Sequence, residues 1–167
     1  MQINSSAPDF SLSETSGSIH RLVNYLGSIV VVNFWSAECP WSERADAHLL
    51  EITKRLAGQV VLLPVASNLN ETVGMINQAA QARGLDFVLQ DSNCSLADAY
   101  AAQTTPHVFV IDGAGVLRYQ GAVDDVTFRK HSPERFYVAE ALSALADGRL
   151  PELQETLPYG CTIVRYI

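Results

Sequence analysis

Cys39 is the residue of this chain whose position best suits covalent chemistry. It follows a hydrophobic stretch that predicts a strand over residues 29–35, and it precedes Pro40, which suits the first position of a helix. A sulfur at a helix start faces unpaired N–H groups and the positive end of the helix dipole, and both stabilise an anion. Such positions lower the pKa of a thiol from about 8.5 to roughly 3.5–7.5, and the thiolate is the reactive form. Cys39 is therefore predicted to be a redox nucleophile, provided that solvent or a partner reaches its sulfur.

Ser42 lies three residues after Cys39, where a two-cysteine redox site carries its second sulfur. Serine cannot resolve a mixed disulfide, so the C-x-x-S pattern excludes an internal C-x-x-C cycle. Two interpretations of Ser42 stay open. Its hydroxyl donates a hydrogen bond to the thiolate, or it is simply a polar residue of the first helical turn.

Two further cysteines are candidates to resolve a mixed disulfide formed at Cys39. Cys161, in the tail after Pro158, is the first candidate, and Cys94, before a short predicted helix, is the second. The alternative for each is a packed thiol without chemistry. Three scattered cysteines do not form the disulfide framework of a small secreted protein.

Composition limits the classes of function. The chain has 167 residues, of which 48% are hydrophobic, and a net charge of −7. It predicts one domain over residues 1–167, with residues 149–167 as a C-terminal tail. The negative charge argues against nucleic acid or a membrane surface as partner. No motif indicates a metal or another cofactor, and no signal or membrane span is visible, so a cytoplasmic protein is expected.

Strands and helices alternate along the chain. A hairpin is predicted from residues 7–12 and 18–22 around Gly17. Apolar spacing and turn residues then predict strands over residues 29–35, 60–66, 87–90, 107–112 and 116–121, and helices over residues 40–57, 71–83 and 95–102 with a last helix beginning at Ser132 and Pro133. This order indicates an α/β fold, with a mixed central sheet, helices on both faces and an N-terminal hairpin extension.

Four segments resemble the redoxin branch of the thioredoxin-fold superfamily, which includes peroxiredoxin-like (AhpC/TSA-related) proteins. They are residues 7–10 with Gly17, residues 33–40, residues 104–112, and residues 119–125 together with 158–163. The resemblance implies a thioredoxin-like fold and a cis peptide bond before Pro106 that faces Cys39. It further implies that Thr105, Pro106 and an apolar lip at Trp41 contact the substrate.

The active-site segment differs from those of thioredoxins and of peroxiredoxins, both of which it resembles in part. A thioredoxin has a second cysteine at the position of Ser42. A peroxiredoxin has Pro-x-x-x-Thr/Ser-x-x-Cys, of which Ser36 matches the hydroxyl but Val32 replaces the proline. The resemblance also implies an arginine near the sulfur, yet Pro106 stands at that position.

The leading prediction is a thiol-dependent oxidoreductase in which Cys39 forms a mixed disulfide or a sulfenic acid. Its partners would be a protein or small-molecule disulfide, or a peroxide, and an external thiol of the thioredoxin or glutathione type. One alternative is a peroxiredoxin-like thiol peroxidase with antioxidant activity, in which Ser36 assists Cys39. The other is a thioredoxin-like binding module without catalysis.

Overall fold

A computed structural model describes residues 1–166. Its centre is a five-stranded sheet in the order β5-β4-β3-β7-β8. The sheet strands are β3 (Ile29–Trp35), β4 (Val60–Ala66), β5 (Leu89–Gln90), β7 (His107–Ile111) and β8 (Leu117–Gly121). β3, β4 and β5 run parallel, whereas β7 and β8 pair antiparallel. The predicted mixed sheet is confirmed.

Alternating side chains of β3 enter two cores on opposite faces of the sheet, because successive residues of a strand point to opposite sides. Val32 and Phe34 pack on the face that carries the short helix α3 (Ser95–Ala99). Val31 packs on the face that carries α1 (Pro40–Arg55) and α4 (Tyr137–Ala146). The remaining α-helix of the described residues, α2 (Val73–Arg83), packs its apolar residues near Trp35.

The N-terminal hairpin extension is present, with β1 (Ser11–Ser13) paired antiparallel to β2 (Ile19–Arg21). Its first strand begins later than predicted. Two very short strands complete the molecule: β6 (Thr104–Thr105) and β9 (Cys161–Thr162), which pair antiparallel outside the central sheet. Among the described residues, none of the helices combines the length and apolarity needed to cross a membrane.

The last helix begins at Tyr137, and its predicted start at Ser132 and Pro133 is wrong. The preceding segment forms a loop instead, because Asp125 forms hydrogen bonds with backbone groups of that segment. The Asp125 carboxylate accepts the N–H of Glu134, and its own N–H donates to the Arg135 carbonyl. Long-range bonds thus outweigh the local Ser-Pro signal for a helix start.

Candidate active site

Cys39 caps the N-terminus of α1, and Pro40 is the first helical residue, as predicted. The backbone of Cys39 is extended, with φ −84° and ψ 118°. Its thiol donates a hydrogen bond of 2.9 Å to the Thr105 carbonyl. The backbone N–H of Ser42, in the first turn of α1, also points at this sulfur. The sulfur therefore lies between the helix start and the residue before Pro106.

The peptide bond between Thr105 and Pro106 is cis, as the resemblance implied. Thr105 forms part of β6, and the antiparallel register of β6 and β9 places Thr105 opposite Cys161. This pairing brings both the thiol and the backbone N–H of Cys161 within hydrogen-bonding reach of the Cys39 sulfur. All three cysteines are free thiols. Of the two predicted resolving cysteines, Cys161 is the one that the structure brings to Cys39.

Cys161 belongs to a segment that we call the strap, residues 156–163, which crosses over Cys39. On one side of Cys39, the Thr156 backbone N–H donates to the Gln120 carbonyl at 3.0 Å, and its hydroxyl accepts the Ala122 N–H at 2.9 Å. On the other side, the buried Ile163 donates its N–H to the Gln103 carbonyl at 3.1 Å. The strap is thus held at both ends.

The strap lies very close to the backbone below it. A Cβ atom added to Gly160 would stand 2.1 Å from the Thr105 carbonyl oxygen and 3.0 Å from Pro106 Cδ. Beside it, the rings of Tyr159 and Trp41 meet edge to face, with centroids 5.0 Å apart. Trp41, predicted as a lip for a partner, therefore contacts the strap of its own chain.

The strap leaves Cys39 with only 2% of its surface exposed. Cys161 is half-buried. The group that contacts the Cys39 sulfur is consequently not an external partner but the Cys161 thiol of the same chain. In this arrangement the Cys39 residue is closed to external molecules.

The two sulfurs have opposite pKa shifts. Burial opposes the Cys39 thiolate, but hydrogen bonds from the Cys161 thiol, the Ser42 N–H and the Cys161 N–H outweigh it and lower the pKa of Cys39. Burial first, and then the bond to Cys39, raise the pKa of Cys161 to about 12. Of the reduced pair, Cys39 is therefore the thiol that ionises more readily.

Ser36 and Ser42 lie near Cys39, but the hydrogen bonds of their hydroxyls go to groups other than its sulfur. The Ser36 hydroxyl donates to Glu71 and accepts the backbone N–H groups of Glu38 and Cys39, at 3.2 and 3.1 Å. The Ser42 hydroxyl accepts the Ser36 N–H at 3.3 Å. Both hydroxyls thus shape the loop that carries Cys39. A direct role of either hydroxyl at the sulfur stays a prediction.

Glu71 was not among the residues singled out from the sequence, yet its carboxylate holds the active-site loop. Besides the Ser36 hydroxyl, it accepts the Ala37 N–H at 3.0 Å and the Asn68 amide at 2.9 Å. The signal for this contact was indirect. β3 and β4 are parallel neighbours, so the residues that follow them meet at one edge of the sheet.

A buried ion pair supports the same loop from below. The Asp46 carboxylate accepts the indole N–H of Trp35 at 2.9 Å and lies 3.4 Å from the Arg83 guanidinium. Arg83 also donates to the carbonyls of Ser36 and Ala37, at 3.0 and 2.5 Å. Burial raises the pKa of Asp46 to about 6, despite the opposing bonds from Trp35 and Arg83.

This carboxyl predicts a pH-dependent stability. Because the pKa of Asp46 is higher in the folded protein than its ordinary value of 3.8, the stabilisation is complete below pH 3.8 and is lost as the pH rises through about 6. The whole difference corresponds to about 3 kcal/mol. The free energy of unfolding of the wild type, relative to Asp46→Asn, should fall by most of this amount between pH 4 and 7 in urea titrations. A pH-independent difference would contradict the assignment.

Cys94 lies elsewhere, and its thiol donates to the Ser67 carbonyl at 3.0 Å. Burial first, and then the nearby Asp91, raise the pKa of Cys94, so no lowered pKa supports a resolving role.

Arg118, the arginine downstream of the position that peroxiredoxins use, is bound to Asp112 at 2.6 Å and to Asn4 at 2.7 Å. Within residues 1–166, no cluster of three or more His, Cys, Asp or Glu residues is arranged to bind a metal ion.

Comparisons with known proteins extend this description. The thiol-disulfide oxidoreductase ResA of Geobacillus thermodenitrificans is 32% identical over 117 residues, which cover 70% of this chain and 67% of ResA. A hypothetical protein from Sinorhizobium meliloti superposes with a TM-score of 0.87 at 25% identity, over 100% of this chain and 96% of that one.

The thioredoxin domain of a thiol-disulfide oxidoreductase from Bacteroides vulgatus has a TM-score of 0.66 at 16% identity, with coverage of 89% and 97%. This likeness confirms the thioredoxin-like fold. The model of the AhpC/TSA family matches residues 3–120, a segment that contains Cys39 and the cis-proline but ends before the strap. The chain therefore belongs to the AhpC/TSA family of thioredoxin-like redoxins.

Proposed function

We propose that this protein is a thiol-disulfide oxidoreductase whose redox couple is Cys39 and Cys161. The curated relatives are named for this activity, and they confirm the prediction of a thiol oxidoreductase at the level of that class. One observation supports the particular couple: the register of β6 and β9 holds Cys161 against the sulfur of Cys39. Ser42 leaves the usual second position without a sulfur, and the strap supplies one.

The proposed reaction transfers two electrons from the protein to a substrate disulfide. When the strap lifts, the Cys39 thiolate attacks one substrate sulfur, forms a mixed disulfide and releases the other sulfur as a thiolate. Cys161 then loses its proton to that thiolate and attacks the Cys39 sulfur, which releases the second substrate thiolate. The protein is left with a Cys39–Cys161 disulfide. An external thiol reduces it for the next cycle.

A peroxidase has less support. The hydroxyl of Ser36 is bound to Glu71, and Arg118 is bound to Asp112. The curated relatives described above are named for disulfide chemistry, not for peroxide reduction. Peroxide as a substrate, the antioxidant role and the cytoplasmic location stay predictions from the sequence. So does the identity of the external thiol.

Disulfide mapping after mild oxidation tests the couple. The wild type should form one bond, between Cys39 and Cys161, and Cys94→Ser should form the same bond as the matched control. With a small aromatic disulfide as substrate and an external thiol as donor, turnover should fall by at least about 100-fold in Cys39→Ser and in Cys161→Ser. A bond between Cys39 and Cys94 would contradict the couple.

The same protein variants distinguish the proposed oxidoreductase from the two alternatives, a peroxidase and a binding module without catalysis. Turnover of hydrogen peroxide that is lost in Cys39→Ser, without disulfide turnover, would indicate a peroxidase. Inertness towards both substrates, together with an ordinary pKa of Cys39 in alkylation profiles, would indicate a binding module.

A further inference from the structure

The two sulfurs of the proposed couple differ in their access to solvent. Cys39 is 2% exposed and lies beneath the strap, whereas Cys161 is half-buried within it. The residues on either side of Cys161 leave it open, because Gly160 has no side chain and Thr162 is exposed. With the strap closed, Cys161 therefore keeps more exposed surface than Cys39.

We propose that an external thiol reduces the oxidised protein by attacking the sulfur of Cys161, with the strap in place. The inference rests on the Cys39–Cys161 couple proposed above. Cys161 thus becomes the entry point for electrons, in addition to its role as the resolving cysteine.

The proposed reduction balances in two exchanges. In the first, an external thiolate bonds to Cys161, the Cys39–Cys161 bond breaks, and its electron pair leaves on Cys39 as a thiolate. In the second, another external thiolate attacks the external sulfur of the mixed disulfide. This step forms an external disulfide and releases Cys161, which takes a proton from solvent. Two external thiols are oxidised, and the protein gains two electrons.

The leaving groups favour the same direction. Attack on Cys161 expels Cys39 as a thiolate. That thiolate accepts hydrogen bonds from the backbone N–H groups of Ser42 and Cys161. Attack on Cys39 would instead expel Cys161, and burial disfavours the Cys161 thiolate. Thiols of lower pKa leave faster in disulfide exchange. Access and leaving group therefore agree.

The strap makes the two halves of the cycle unequal. Attack by Cys39 on a substrate disulfide requires the strap to lift from Thr105 and to break its pairing through Cys161. Reduction at Cys161 requires no such movement. Substrate and reductant thus react with different sulfurs and with different states of the strap.

Rapid mapping of a mixed disulfide tests this assignment. The experiment uses the Cys94→Ser protein, because serine keeps a donor for the Ser67 carbonyl and removes the third thiol. The oxidised protein is mixed with reduced glutathione, quenched with acid over a series of short times, alkylated and mapped by mass spectrometry. Extrapolation to zero time removes later migration of glutathione between the two cysteines. Glutathione should appear on Cys161 in at least about tenfold excess over Cys39.

Glutathione mainly on Cys39, or equally on both cysteines at the earliest times, would overturn the assignment and leave the couple intact. Absence of a Cys39–Cys161 bond in the oxidised starting protein would overturn the couple, and the entry point with it. The two failures are distinguished by mapping the protein before glutathione is added.

Discussion

Gly160→Ala should raise the alkylation rate of reduced Cys39 by at least about tenfold, because the strap can no longer lie over the sulfur. The added Cβ would stand 2.1 Å from the Thr105 carbonyl oxygen and 2.6 Å from its carbon. Both atoms belong to the backbone, so no flexible side chain can move aside to make room. The strap itself must therefore move away. Cys161 moves with it. Formation of the Cys39–Cys161 disulfide under mild oxidation should fall in parallel.

Iodoacetamide kinetics with mass mapping measure both effects, and circular dichroism checks that the fold is kept. Gly74→Ala is the matched control, since its Cβ would meet only Thr72 Oγ1, at an ordinary 3.8 Å. Its Cys39 should react at the wild-type rate. Slow alkylation of Cys39 in Gly160→Ala would show that the strap does not limit access.

Arg83→Met should lower the free energy of unfolding by about 3 kcal/mol, because it leaves a buried carboxylate without its cation. The side chain of Arg83 is 11% exposed and pairs with Asp46 at 3.4 Å. It also donates to the carbonyls of Ser36 and Ala37, at the loop that precedes Cys39. Methionine keeps an apolar side chain but supplies none of these bonds, and it loses the guanidinium that lies over the Trp35 ring, 5.1 Å from the ring centroid.

Urea unfolding at pH 7 measures the loss. Arg55→Met is the control, because Arg55 is exposed near the end of α1 and its replacement should cost less than about 1 kcal/mol. Equal losses in the two variants would contradict the role of Arg83. Partial recovery of the Arg83→Met protein at pH 4, where Asp46 is protonated, would be the further sign that its charge is responsible.

The sequence predicted β3 and β4 with their observed ends because long apolar runs bounded by turn residues leave little freedom in register. It also predicted Cys39 at the start of α1 and the cis bond before Pro106. These features depend on neighbours in the chain or on a specific motif. The late start of α4 was missed, because it depends on bonds from Asp125 to residues further along the chain.

The strap could be predicted only in part. Cys161 was singled out as a tail thiol, but its pairing with Thr105 joins residues far apart in sequence through a strand of two residues. No periodic pattern identifies so short a strand. Glu71 and Arg83 were missed for the same reason, since each acts on loop atoms more than thirty positions away. The residues next to an acidic or basic side chain in the sequence do not indicate that it makes such a contact.

Because Cys39 lies early in the chain and Cys161 near its end, a bond between them would close a ring of about 120 residues. A covalent ring of that size removes many conformations from the unfolded chain, which in the chain-entropy account is worth about 5 kcal/mol. Oxidation would then raise the free energy of unfolding of the protein. By the same thermodynamic cycle, the native fold would make the disulfide harder to reduce than it is in the unfolded chain.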